Sequence, residues 1–433
     1  MRSLKRWKVT VLIFFFLQMV SLSVRAEEVI ILEADTYVVE LGMEPVEADL
    51  NISYSGFIEE TDYNWAHQAS GKMSYIAVGE GKTYIRLQEY VYFFDIDKQI
   101  LIPLCNRPDC LHDKETDDTK KMECNAYVDY SMYNCSLQYY QGKLYANSYS
   151  RTVDVNQENR TATVTFNGEM LYELALDGSS RDVFPVQLEN CGMFMMHRGM
   201  IYYTAYETNR RTGEPCQELW AVSVDGKKKK MILRIDGEAE SFFYIPYGEY
   251  LYTMVANFSE NERYGFYMVY DPLSGELYAK QIPKEQSGMI YPFDEKMCSM
   301  TESDTLYQFN LNGTDWEEIV TLKVSEPEKF GLESNPKGCL WISMDESYLY
   351  RMQWSGMWNP NMQIYDLDSG EMIQYIQFGE NEYCMLQRIG ITDEYLFCGG
   401  FIQEKHKIYW IEKEHMLDPD VVLYRMEQFP DET

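Results

Sequence analysis

The sequence predicts an all-β chain folded as a β-propeller of about seven four-stranded blades, with six or eight within the same pattern. Three observations predict it. A unit of roughly 40–50 residues recurs along the chain. Each unit carries a Tyr-rich strand at the same place, which accounts for many of the 36 tyrosines. Turns containing Gly, such as Gln141-Gly142, Asp177-Gly178, Asp225-Gly226 and Asn312-Gly313, separate the strands, and two-residue hairpins need the positive φ that Gly accepts.

The first element is an export signal. Arg2, Lys5, Arg6 and Lys8 precede an apolar run from Val9 to Val24, and Val24-Arg25-Ala26 fits a small-x-small cleavage site. The expected organisation is a signal peptide over residues 1–26 and a single propeller over 27–433, with a Cys/His insertion at 105–126. An uncleaved anchor is the alternative reading of the same run, although it is short for a bilayer span. No Cys stands at the junction to carry a lipid. No later stretch is apolar enough to cross a membrane, so no span is expected after cleavage. The expected location is secreted or extracytoplasmic, associated with the cell surface.

Charge excludes one class of partner. The formal net charge is −31, and residues 1–26 contribute only basic charges, so the remainder is more acidic still. Such a field opposes the phosphate contacts on which nucleic-acid binding depends. The basic run Lys227 to Lys230 follows an Asp-Gly turn and reads as a solvated strand edge.

The blades follow in order. TYIRLQ, YVYFFDI and QILIPL form a first blade whose opening strand is unclear. SLQYY, KLYANS, MLYELAL and DVFPV form the next. Further copies open at MFMM, YIPY, MIYPF, CLWISM and LQRIGI. Val29 to Leu41 also reads as strand, and is expected to complete a blade made by the other end of the chain. A pair of β-sandwiches would use as many short strands, but not at this spacing.

Short Gly turns occupy the hairpins between first and second, and third and fourth, strands. Long loops fall between second and third strands, at 149–168, 207–217, 257–264 and 355–361. These share one face, where binding is expected. Trp354, Trp358 and Asn361, with Arg210 and Arg211, are the candidate ligand contacts. Glycans, peptides or a surface protein are the partners such residues fit.

The most specific local feature is Cys105-Asn-Arg-Pro-Asp-Cys110-Leu-His112 followed by Cys124, a C-x4-C-x-H-x11-C spacing. Three thiolates and an imidazole can surround zinc. With ten cysteines in an exported chain, the first expectation is that Cys105, Cys110, Cys124 and Cys135 form two disulfides, in any of three pairings. The remaining cysteines lie mostly on strands and are expected to be buried thiols. The CNRPDCLH…CNA segment, placed after an early blade, resembles a family of exported propeller proteins of Gram-positive anaerobes, many of them lipoproteins. That resemblance implies a propeller outside the cytoplasm and no particular activity.

No catalytic motif is present. The chain has five His, no G-x-S-x-G, no H-E-x-x-H and no EF-hand loop. Gly313-Thr-Asp-Trp316 resembles the tail of a sialidase Asp-box, but Leu311 stands where the first Asp belongs. Three functions stay open: a non-catalytic binding or interaction module, a polysaccharide hydrolase or lyase using channel carboxylates, and a metal-binding sensor or envelope scaffold.

Overall fold

The computed structural model describes residues 30–426, apart from 34–36, 43–51, 65–75, 129–135, 157–160, 210–212, 238–240, 257–263, 333–338, 354–356, 359–360, 378–382, 403–404 and the single positions 88, 99, 214, 302, 393 and 423. The expected signal peptide lies outside the described residues.

Two short strands, β1 (Ile30–Glu33) and β2 (Tyr37–Leu41), precede the blades. Blade 1 holds β3 (Ile76–Gly79), β4 (Lys82–Leu87), β5 (Tyr90–Asp95) and β6 (Ile100–Pro103). Blade 2 holds β7 (Leu137–Tyr140), β8 (Lys143–Asn156), β9 (Thr161–Ala175) and β10 (Arg181–Val183). Blade 3 holds β11 (Cys191–His197), β12 (Met200–Thr208), β13 (Pro215–Ser223) and β14 (Lys229–Gly237). Blade 4 holds β15 (Ser241–Tyr247), β16 (Tyr250–Ala256), β17 (Tyr264–Tyr270) and β18 (Leu277–Pro283). Blade 5 holds β19 (Gly288–Phe293), β20 (Lys296–Thr301), β21 (Thr305–Phe309) and β22 (Glu317–Thr321). Blade 6 comprises β23 (Cys339–Met344) and β24 (Tyr348–Gln353), then, after the two-residue β25 (Met357–Trp358), β26 (Asn361–Asp366) and β27 (Met372–Gln377). Blade 7 holds β28 (Tyr383–Ile391), β29 (Tyr395–Ile402), β30 (Lys405–Glu412) and β31 (Tyr424–Met426).

Each blade is an antiparallel meander, and all seven sheets are separate in their backbone pairing. First strands of neighbouring blades touch one another, as β3 touches β7 and β7 touches β11, so the first strand is the innermost. Burial follows from that order. Strand β11 is covered on both faces and buried throughout, whereas the outermost β22 buries only Val320. A continuous apolar run is what a doubly covered strand requires.

Apolar clusters bridge every neighbouring pair of blades. Tyr140 and Tyr145 meet Phe194 and Ile201 between blades 2 and 3. Met195 and Tyr202 share a cluster with Tyr244 and Phe266 between blades 3 and 4. Tyr252 and Tyr267 join Phe309 between blades 4 and 5, and Met300 joins Ile342 between 5 and 6. Tyr350 and Leu396 share a cluster between 6 and 7, and Phe94, Leu137 and Phe397 link 7, 1 and 2. The circuit is closed.

Three expectations change. Residues 30–41 do not complete the last blade; β2 pairs with β14 and extends blade 3 outward. The register Leu233↔Leu41 and Ile235↔Val39 puts apolar side chains of both strands into one core. Residues 149–168 are not an irregular loop, since β8 and β9 run on and pair as far as Asn156↔Thr161. The 207–217 loop is likewise shorter, because β12 reaches Thr208 and β13 starts at Pro215. Among the described residues no helix is long and apolar enough to cross a membrane.

Candidate functional site

Two constructions stand out from the blades: the Cys/His module between blades 1 and 2, and a strap that crosses one face of the ring.

The module begins where β6 ends. Leu104 N–H donates to Val91 O, and Val91 N–H donates to Ala126 O, so both ends of the insertion are tied to the start of β5. Val128 N–H donates to Glu89 O beside them, and the Tyr127 ring stands edge-on to Tyr90 at 5.4 Å. Inside the loop, Asp117 caps the single-turn helix α1 (Asp118–Lys121) through the N–H groups of Thr119 and Lys120. His112 takes a positive φ of 56°, which reverses the chain immediately after Cys110. The Tyr90 hydroxyl donates to His112 O, and the Tyr92 hydroxyl donates to Asp113.

That reversal brings four ligand atoms together. The donor atoms of Cys105, Cys110, His112 and Cys124 all lie within 4.8 Å of one another. Cys124 Sγ is 3.7 Å from His112 Nδ1. A tetrahedral zinc with Zn–S near 2.3 Å and Zn–N near 2.0–2.1 Å sets its ligand atoms about 3.6–3.8 Å apart, so the spacing fits. Backbone donors face two of the sulfurs: His112 N–H points at Cys110 Sγ at 3.4 Å, and Ala126 N–H donates to Cys124. Burial pushes the Cys124 thiol well above its ordinary range, so without a cation it is a protonated, unreactive group. Cys105, Cys110 and Cys124 are free thiols, and no disulfide occurs among the described cysteines. Cys135, the fourth member of the disulfide reading, lies outside the described residues.

The module is clamped to blade 2 as well. Asn106 N–H and Asn125 Nδ2 both donate to Gly178 O in the β9–β10 turn. Arg181, at the start of β10, donates to the carbonyls of Tyr127 and Met122. The cluster therefore sits at the flank shared by blades 1 and 2, next to the β4–β5 turn at Glu89.

The strap comprises residues 52–63. It runs along the first-to-second-strand turns of three successive blades. Gln141 N–H, in the blade 2 turn, donates to Glu60 O. In blade 3, Arg198 N–H donates to Thr61 O. In blade 4, Tyr247 stacks on Tyr54 with ring centroids 4.4 Å apart. The centre of this latch is Asp62, which is buried. Arg198 grips it through Nε at 2.6 Å and Nη2 at 2.8 Å, and also reaches Gly56 O, Ser55 and Glu249. His197 is buried beside it, with Nδ1 accepting from Tyr63 N–H at 2.9 Å and Nε2 donating to Gly248 O at 2.7 Å. Burial holds His197 below its ordinary pKa, in keeping with that neutral tautomer.

The expected ligand contacts are placed differently. Arg210, Arg211 and Trp354 lie outside the described residues. The backbone of Trp358 lies in β25 and pairs with Tyr383 of blade 7, so this loop reaches across to the next blade. Asn361 is not a loop residue: it opens β26, is buried, and its Oδ1 accepts from Gln363 Nε2. Asp62, His197 and Arg198 were not marked by composition. The available sign was Arg198 beside Gly199, a bulky cation in a turn position that requires positive φ.

No family model matches the chain, and no curated protein matches it. Solved structures do resemble it. A computationally designed protein, Ika8, is 10% identical, with 82% of this chain and all of that one covered at a TM-score of 0.43. A structure described as YCF48 bound to D1 peptide is 9% identical, covering 89% of this chain and 98% of that one at 0.42. The β-propeller domain of the trilobed protease from Pyrococcus furiosus is 11% identical, covering 65% and 84% at 0.39. It is the strand pairing and the closed circuit of apolar contacts that make this chain a β-propeller.

Proposed function

We propose that the chain works outside the cytoplasm as a non-catalytic binding module, and that its ligand meets the ring on the face of the second-to-third-strand loops. The observation that carries this is the strap. Residues 52–63 already occupy the turns of blades 2, 3 and 4 on the opposite face, held by the Asp62–Arg198 pair. A ligand approaching from that side meets the chain's own backbone. The other face carries the extended β8–β9 hairpin and the connection that takes Trp358 across to blade 7. Loops on a rigid frame are where recognition concentrates.

A non-catalytic role is favoured over a hydrolase by the acids. Among the described residues, Glu40 and Asp62 are the buried carboxylates, and each is committed to an ion pair within the fold, with Arg234 and Arg198. Glycans, peptides and surface proteins are the ligand classes the loop aromatics fit, and the export signal supports a place outside the cytoplasm.

The test is an array of glycans and peptides probed with the chain from residue 27 onward. Binding should fall at least tenfold in Trp354→Ala or Trp358→Ala and stay unchanged in Phe57→Ser on the strap. Binding lost only in Phe57→Ser would move the ligand to the other face, and turnover of an arrayed compound would replace the module with an enzyme.

A further inference from the structure

We infer that Cys105, Cys110, His112 and Cys124 bind one zinc ion as a closed structural site that staples blade 1 to blade 2. Identity of the metal follows from the donors. Three thiolates and one imidazole are soft and borderline ligands, which suit zinc and disfavour calcium or magnesium. The number of donors sets the role. Four protein ligands complete a tetrahedron and leave no position for water or substrate, so the ion has no hydrolytic function.

The geometry is already prepared. All four donor atoms lie within 4.8 Å of one another, although they come from three separate points of the chain: the end of β6, the reversed turn at 110–112, and the loop after α1. The N–H groups of His112 and Ala126 point at the sulfurs, as donors do where thiolate charge must be dispersed. Cys124 belongs to the apolar core of blades 1 and 2, and Cys105 and Cys110 pack against that core from its edge. Of the four, only Cys124 is buried, and the helical turns within the loop bury no residue. A cation across the four ligands adds a direct bond between these points at the exposed edge of the core.

What the cross-link secures is the joint between blades. The residues beside the ligands carry the bonds to blade 2: Asn106 and Asn125 to Gly178, and Met122 and Tyr127 to Arg181. Fixing the ligands fixes those carbonyls and amides against the outer hairpin of blade 2.

The experiment uses the full propeller, purified with its thiols reduced and titrated with Zn²⁺ and with Co²⁺. One zinc per chain is expected by elemental analysis. The cobalt form should show the visible bands of a tetrahedral ion and a thiolate charge-transfer band in the near ultraviolet. A chelator should release the metal and lower the melting temperature. Because a cysteine variant can fail to fold, His112→Cys and His112→Ala are the informative pair. His112→Cys should keep one metal and shift the cobalt spectrum towards four sulfurs. His112→Ala should lose stoichiometric cobalt binding while its circular dichroism stays that of a β-rich fold. A cobalt spectrum identical in the wild type and His112→Cys would remove His112 from the site. Failure of the reduced protein to take up either metal, or Cys105, Cys110 and Cys124 found oxidised in the native protein, would overturn the site altogether. None of these outcomes bears on which face binds the ligand.

Discussion

Gly178 shows how much one residue can decide. Its φ is +72°, and a Cβ built there would stand 2.7 Å from Cys105 N and 2.8 Å from Leu104 C. Both the turn conformation and the approach of the Cys/His module exclude a side chain. Gly142 has the same φ of +72° but open space around it. The two glycines therefore separate strain from collision. Gly142→Ala should cost about 1 kcal/mol, the penalty of a left-handed conformation alone. Gly178→Ala should cost about 3 kcal/mol, because backbone atoms of the module must also move. Chemical denaturation of the two variants measures the difference, and equal losses would mean the module yields freely.

At the scale of elements, the strap is held by one neutral imidazole as well as by the Asp62–Arg198 pair. His197 Nδ1 can accept from Tyr63 N–H only while it is unprotonated. The charged groups facing it are Asp62 on the strap, Arg198 in its own turn and Glu249 in the blade 4 turn. Burial lowers the His197 pKa below 6.5, so the unfolded chain takes up the proton first. Its contribution to stability is therefore complete above about pH 6.5 and falls as the pH drops below that value towards the folded pKa. Between about pH 7 and pH 5 the wild type should lose more stability than His197→Gln, and limited proteolysis should cut within residues 52–63 at the lower pH. Parallel pH profiles for the two proteins would assign the loss to other groups.

The same scale shows what could be read from the sequence. Strands such as MFMM and YLYTMV, and turns such as Gln141-Gly142, carry their own periodicity and their own φ requirement, and they lie where expected. The strap carries neither signal. Its position depends on Asp62 meeting Arg198 across 136 residues of sequence. For β1 and β2 the strand character was legible but the partner was not, since a sheet edge will pair with any strand that covers the same apolar side chains. The TVDVN and TATVTF stretches alternate β-branched residues, a strand pattern outweighed by their polar composition. The Cys/His spacing picked out four residues whose donor atoms the fold brings together, but the clamp on Gly178 and Arg181 lies in the next blade and has no local mark.

Across the whole molecule, the described strands close the ring without one shared between the first and last blades. Blade 7 is made of the C-terminal β28 to β31 with the two-residue β25 beside β28, and among the described residues it pairs with nothing from the N-terminal region. The seam is made by side chains: Phe94 of blade 1 stands edge-on to Phe397 at 6.0 Å and to Trp410 at 5.8 Å. Phe94→Ala should cost about 3–5 kcal/mol, since loss of the ring leaves a cavity at the joint between the first and last blades. Hydrogen exchange should then speed up in β3 to β6 and in β28 to β31 before it does so in blades 3 to 5. Uniform acceleration around the ring would show that the seam is no weaker than the other joints.

The pairing of each meander with itself also sets an order of events during synthesis. A propeller that borrows a strand from its N-terminus for the last blade keeps that strand unpaired until the end. In this chain each meander pairs with itself as soon as its fourth strand is made, so every blade can form its hydrogen bonds locally. The flank of blade 1 around Phe94 nevertheless stays bare until Phe397 and Trp410 arrive, near the end of the chain. For most of its synthesis the protein is thus an open arc with one uncovered apolar end, and ribosome stalling or truncation before residue 397 leaves that end available to other chains.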